Sequence, residues 1–355
     1  MVMEENPLEK TRETFTLTRG DYQQPGKKVS PGTPAFLPPM PEGSPANRLG
    51  LARWLVDPAH PLTARVAVNR IWQQFFGTGM VKTSEDFGVQ GELPVHPELL
   101  DWLAVEFIES GWDVKHLVRL IVSSSAYRQD SALTPAKSER DPGNRLLTRG
   151  ARSRLPAMLL RDQALAISGL LVPDVGGEPV YPRQPEGLWE EFSFGKISYP
   201  VRHEPEQLYR RSLYTFFRRT SSPPNLFDTS ARQVCMVKPS TTNTPLHALV
   251  LLNDETYVEA SRALARRMVN EGGTTADSRL AFAFELATAR PPGERERQLL
   301  ANGYEKSLNE FRSYTGEAVD YAAVKPDERL DPVELAACTR MAQVILNLDE
   351  TLNRP

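Results

Sequence analysis

The side chains most able to do chemistry are thinly spread. The five histidines, His60, His96, His116, His203 and His247, never stand three or four residues apart, so no helix turns two imidazoles toward one ion. HExxH, CxxCH and zinc-type Cys/His spacings are absent, and no metal site is expected. Cys235 and Cys338 form no CxxC and read as two small buried thiols. The stretch GTGMVKT at Gly77–Thr83 lacks the GxxxxGK[ST] spacing of a phosphate loop and reads as a helix stop followed by a short strand. Ser123, Ser124 and Ser125 fall in the last turn of a helix, where hydroxyls satisfy backbone carbonyls. No motif fixes a reaction.

The positive signal lies in polar residues that interrupt apolar stripes. Asn69 falls between Val66 and Trp72, and Asp162 between Leu159 and Leu165. Asn253 falls on the face of Leu246, Leu249, Val250 and Tyr257. An unpaired buried amide or carboxylate costs several kcal/mol, on the order of 2–7 for an amide, so each needs a partner. Arg70, Arg161, Arg211 and Arg232 are near enough in sequence to serve. The expectation is a polar network of Asn69, Arg70, Arg161, Asp162, Arg211, Arg232 and Asn253 joining the two halves of the chain. The alternative is that these faces are only partly buried and meet water. In KPSTTNTPLHALVLLND, Thr244 reads as an N-cap, Pro245 as the first helical residue and His247 as the third. A capping box would place Glu or Gln at that third position, so His247 makes an imperfect one.

The elements that must position these residues are mainly helical, a multi-helix globular bundle with a minor extended component. Residues 1–43 read as an extended N-terminal segment, in which TFTLTRG alternates as a strand does. Residues 44–130 form a helical subdomain. Its first helix starts at Ser44-Pro45, a second ends at Gly77, a third starts at Pro97 and a fourth is capped by Asp113. Residues 131–150 are polar and read as a linker. Residues 151–355 form a second helical subdomain with an irregular insertion at 173–235, where RRSLYTFFRR looks like a strand. Later helices are expected at about 245–270, 277–289, 294–312 and 331–351, the last capped by Asp331. A net charge of −3 argues against a nucleic-acid groove, and the arginine pairs at 210–211, 218–219 and 266–267 read as solvated faces or carboxylate partners. No apolar run approaches the ~20 residues of a membrane span, and MVMEENPLEK is not a signal peptide.

Long ordered blocks carry a resemblance. Asn69–Gln129 (NRIWQQFFGTGMVKTSEDFG through SSSAYRQ), LPAMLLRDQALAISGLL, RRSLYTFFRRTSSPPNLFDTSARQVCMV, TTNTPLHALVLLND and VILNLDET follow one another as in the planctomycete PSD-one family, domain of unknown function fifteen fifty-three. His247 stands where that family usually has glutamine. The resemblance implies the C-terminal module of an exported multidomain protein, periplasmic or extracellular. Its partners would be upstream domains of the same polypeptide, cytochrome-c-like and glycan-associated. Any haem c would lie upstream, with no cofactor bound in these residues. A scaffold or interaction role follows. The alternative is an enzyme on an extracellular polysaccharide, with a tertiary site drawn from Asp86, His96, Asp228, Arg232 and Asn253.

Overall fold

Apolar side chains recurring every three or four residues, bounded by capping residues, build a mainly α-helical protein. The computed structural model describes residues 6, 10, 12–191, 193–217, 223, 225–229, 235–238, 242, 244–325 and 329–354. The chain divides into two compact units, Met1–Ala151 and Arg152–Pro355.

In the first unit, strands β1 (Thr14–Leu17) and β2 (Pro25–Val29) form an exposed antiparallel hairpin. Helix α1 (Arg48–Leu55) begins later than Ser44-Pro45 suggests. Asn47 is the cap, accepting from Leu49 N (3.1 Å) and Gly50 N (3.2 Å). Both residues have capping chemistry, and only Asn47 lies next to the helical turn. Helix α2 (Thr63–Phe76) stops at Gly77, whose φ of 75° suits a residue without Cβ. Helix α3 (Pro97–Glu109) has proline in its first turn and Glu98 beside it, and α4 (Val114–Ser123) is capped by Asp113. Val68, Trp72, Leu103, Phe107, Leu117 and Ile121 from these three helices form the core. Ser123 and Ser124 return their hydroxyls to Leu120 O and Ile121 O.

Residues 131–150 do more than link. They hold α5 (Pro135–Arg140) and fold back on the first unit, with Arg145 donating to Gly79 O (2.8 Å) and Met80 O (3.1 Å). Buried Asp141 accepts from Arg145 N and Leu146 N, so a polar composition here marks a satisfied turn.

In the second unit, β3 (Ser153–Arg154) precedes α6 (Ala157–Ser168), which ends at Gly169. Residues 173–217 are irregular, with short helices α7 (Leu188–Glu191) and α8 (Pro205–Leu208). The expected strand at RRSLYTFFRR is instead a 3-10 turn, Ser212–Tyr214, flanked by isolated bridges. Arg210 is not a solvated charge. It is buried and donates to the carbonyls of Asp174 (3.0 Å) and Gly176 (2.5 Å), which fixes the turn.

The helix expected at 245–270 is two, α9 (Pro245–Asn253) and α10 (Glu255–Glu271), divided at Asp254. There follow α11 (Ala276–Thr288), α12 (Glu294–Ser313), α13 (Thr315–Ala322), α14 (Pro332–Leu346), α15 (Asp349–Leu352) and β4 (Asn353–Arg354), which pairs with β3. Asp331 caps α14 as expected. Helix α14 packs against α10, α11, α12 and α13, and its buried alanines 336, 337 and 342 allow close approach. No helix among the described residues is long and apolar enough to cross a membrane. Cys338 is buried, whereas Cys235 is exposed, against the expectation of two buried thiols; both are free.

Candidate functional site

The sequence-marked residues fall into separate settings. Asn69 is fully buried, and its amide serves the loop after α2. Nδ2 donates to Val81 O (3.0 Å) and Oδ1 accepts from Val81 N (2.9 Å). The short strand expected there does not form, because one side chain takes the backbone groups that a neighbouring strand would use. Gly79 completes the lock, since a Cβ there would lie 2.5 Å from Asn69 Nδ2. Arg70 is exposed and takes no part. Asp86 closes a local turn, accepting from Gly88 N at 2.6 Å. His96 precedes α3 with no side-chain capping bond.

Arg161 and Asp162 sit together on α6. The Arg161 guanidinium is 1% exposed and donates to Leu208 O (2.6 Å) and Arg210 O (2.9 Å). Burial lowers its pKa, and Asp162, 3.8 Å away, opposes that shift. Asp162 accepts from Ser212 N and Oγ, both at 2.7 Å. The salt-bridged pair is present, and it pins the irregular segment onto α6. Arg211 is exposed, and Arg232 lies outside the described residues.

Asn253 is a correction. It is exposed and donates to Leu249 O, one turn back on its own helix (2.8 Å). Of the stripe it interrupts, Leu246 and Leu249 stand 67% and 54% exposed, whereas Tyr257 is buried but lies on the next helix, past the break at Asp254, so a period read through that break misplaced Asn253. The neighbour Asp254 is the residue drawn inward. It caps α10, accepting from Thr256 N (3.0 Å) and Asn225 Nδ2 (3.2 Å). Burial pushes its carboxyl up, and those hydrogen bonds offset the shift only in part.

The densest constellation gathers around Asp228 and His247. Asp228 adopts φ 57°, a left-handed conformation that Asp tolerates better than most residues. Its carboxylate accepts from the Arg154 guanidinium, from Thr242 N (2.7 Å) and from Thr242 Oγ1 (2.8 Å). Burial pushes this carboxyl up, but the Thr242 and Arg154 hydrogen bonds together outweigh it and hold it below the usual range. Arg154 also donates from Nη1 to His247 Nδ1 at 2.7 Å. A guanidinium has no acceptor, so Nδ1 accepts and the ring proton rests on Nε2, 3.4 Å from Thr242 Oγ1. The imidazole stacks on Phe227 (centroids 4.1 Å apart, 12° between planes), and Arg154 lies 4.9 Å from the same ring. The Thr244 side chain makes no capping bond and His247 does not reach back, so the expected capping box is absent. The imidazole at that third position serves a distant partner instead. Arg154 is the member that the sequence reading missed, because a two-residue strand 93 residues before His247 carries no periodic signal.

The strong donors and acceptors of this clasp are turned toward one another, except Arg154 Nε, which is buried without a hydrogen-bond partner among the described residues. No group of histidine, cysteine and carboxylate side chains among the described residues could hold a metal ion. The family profile of a protein of unknown function, PSD1 (DUF1553), matches residues 47–304, and the chain belongs to that family. No curated protein and no solved structure matches it.

Proposed function

We propose that this member of a family of unknown function is a structural interaction module, docking to the other domains of its own polypeptide through helix α9. One arrangement supports the reading. The start of α9 is fastened through His247, Arg154 and Asp228, while Leu246, Leu249 and Leu252 stand exposed along the helix. An apolar face held in a fixed pose and turned to the outside suits protein contact. Acid–base catalysis asks for the opposite, a carboxyl or imidazole free to exchange a proton with a substrate. Asp228 is instead held ionised by three donors. The setting carried with this proposal is the one the family resemblance implies, periplasmic or extracellular, beside cytochrome-c-like and glycan-associated domains.

The test uses the full-length parent polypeptide, assayed for haem content and for turnover of neutral and sulfated polysaccharides, beside Asp228→Asn and Arg154→Lys variants. A structural module gives no turnover, and both variants melt at lower temperature. Turnover in the parent that the variants lose while keeping their melting temperature overturns the reading in favour of an enzyme. Replacing Leu246 and Leu249 with serine weakens binding of this chain to the separately expressed upstream domains. Unchanged binding removes α9 as the docking face.

A further inference from the structure

A cleft of about 670 Å³ opens in the first unit beside α3, with Trp72, Leu103, Ile121 and Leu147 among its apolar walls. That volume and apolar lining suit a small-molecule ligand. Trp102 lines it and is 53% exposed, a large aromatic face left uncovered. Glu98 lines it one helical turn before Trp102, and residues four apart on a helix share a face. Neither Glu98 nor His96, the other titratable group on the lining, makes a side-chain hydrogen bond among the described residues. Among the described residues no lysine or arginine lines the cleft, and Glu98 is the one carboxylate that does. Arg145 lines an adjoining small cavity, which shares Trp72, His96 and Leu147 with the cleft, and its guanidinium is bonded to the carbonyls of Gly79 and Met80.

Each feature narrows the ligand. The apolar walls ask for a hydrocarbon body, and the lone carboxylate favours a cation and repels an anion. An indole face within reach of a carboxylate suits an organic ammonium, which the ring attracts through its quadrupole. We propose that this cleft binds a small organic ammonium with an apolar body, its cationic head between Trp102 and Glu98. This site belongs to the first unit and does not depend on the role assigned to α9.

The test titrates the full chain with benzyltrimethylammonium, following tryptophan fluorescence and heat, with benzyl alcohol and benzoate as neutral and anionic counterparts. The cation is expected to bind about tenfold more tightly than the alcohol, and benzoate not measurably. Glu98→Gln should bring the cation down to the level of the alcohol. Trp102→Leu should weaken both, and Trp102→Phe should keep most of the cation affinity. Circular dichroism melts of all three variants should stay close to that of the parent, since no side-chain hydrogen bond is removed and Trp102 is more than half exposed. Benzoate or benzyl alcohol binding as tightly as the cation overturns the proposal. So does a cation affinity indifferent to Glu98→Gln, or no binding at millimolar concentration.

Discussion

The clasp at Asp228 and the cleft at Glu98 use similar side chains to opposite ends. Each has a carboxylate, a histidine and an aromatic ring. In the clasp an arginine joins all three, so that the carboxylate, the imidazole and Phe227 face inward to one guanidinium. In the cleft no cation lines the walls among the described residues, and the carboxylate and imidazole keep their hydrogen-bonding capacity for something else. Residue type therefore says little about function here. What separates a fastening from a binding site is whether the partner is already present in the chain.

Substitutions can break this comparison, and the largest effect falls where the charge is most deeply buried. Arg161→Met strips donors from the carbonyls of Leu208 and Arg210 and leaves Asp162 without its cation. It should destabilise the second unit by about 3–5 kcal/mol, read from chemical denaturation. Arg154→Ala should cost about 2–3 kcal/mol by leaving Asp228 without its cation and His247 Nδ1 without its donor. A loss under about 0.5 kcal/mol, the range of an ordinary surface change, would mean that the clasp fastens nothing.

Two carboxyls of the second unit should respond to pH with opposite signs. The folded Asp228 carboxyl lies below its usual value of 3.8, so its stabilisation is present above that value and lost as pH falls through the folded one. Asp228→Asn should flatten the acid limb of the stability curve. The folded Asp254 carboxyl lies above 3.8, so its contribution is full below that value and declines as pH rises through the folded one. Asp254→Asn keeps a capping oxygen and removes the buried charge, and should equal or exceed the parent in stability at neutral pH. A large loss there would mean that the charge itself is needed. The smallest effect belongs to the cleft. Glu98→Gln should change stability by no more than about 0.5 kcal/mol, because the carboxylate serves no structural bond.

Local chemistry was legible in the sequence. Gly77 ends α2, Pro97 opens α3, and Asp113 and Asp331 cap their helices, because a cap acts within one turn. Asn69 was legible too, since an amide inside an apolar stripe requires a partner, although which one was not. The failures have a different origin. Asn253 shared a stripe with leucines, yet stripes report amphipathicity and not what covers them. Arg210 meets neither water nor a carboxylate, the two settings its sequence suggests, because charge alone does not show that a folded loop can supply carbonyls. Arg154 lay 74 residues from Asp228, beyond any pattern that spacing reveals. Of the proposed enzyme site, Asp86 and His96 lie in the first unit and Asp228 and Asn253 in the second.

Asp254 alone stands between α9 and α10, ending one helix and capping the next. A one-residue junction leaves little slack, as a short elbow does between two rods. One residue inserted or deleted there would displace α9 against α10, because the single extended residue at the junction is bonded as the cap of both helices. Leu251, the buried residue of α9, would leave the core, and His247 would swing away from Arg154. Length at this junction is therefore under tighter constraint than composition, and chain-length variants should be sought in the longer connections on either side.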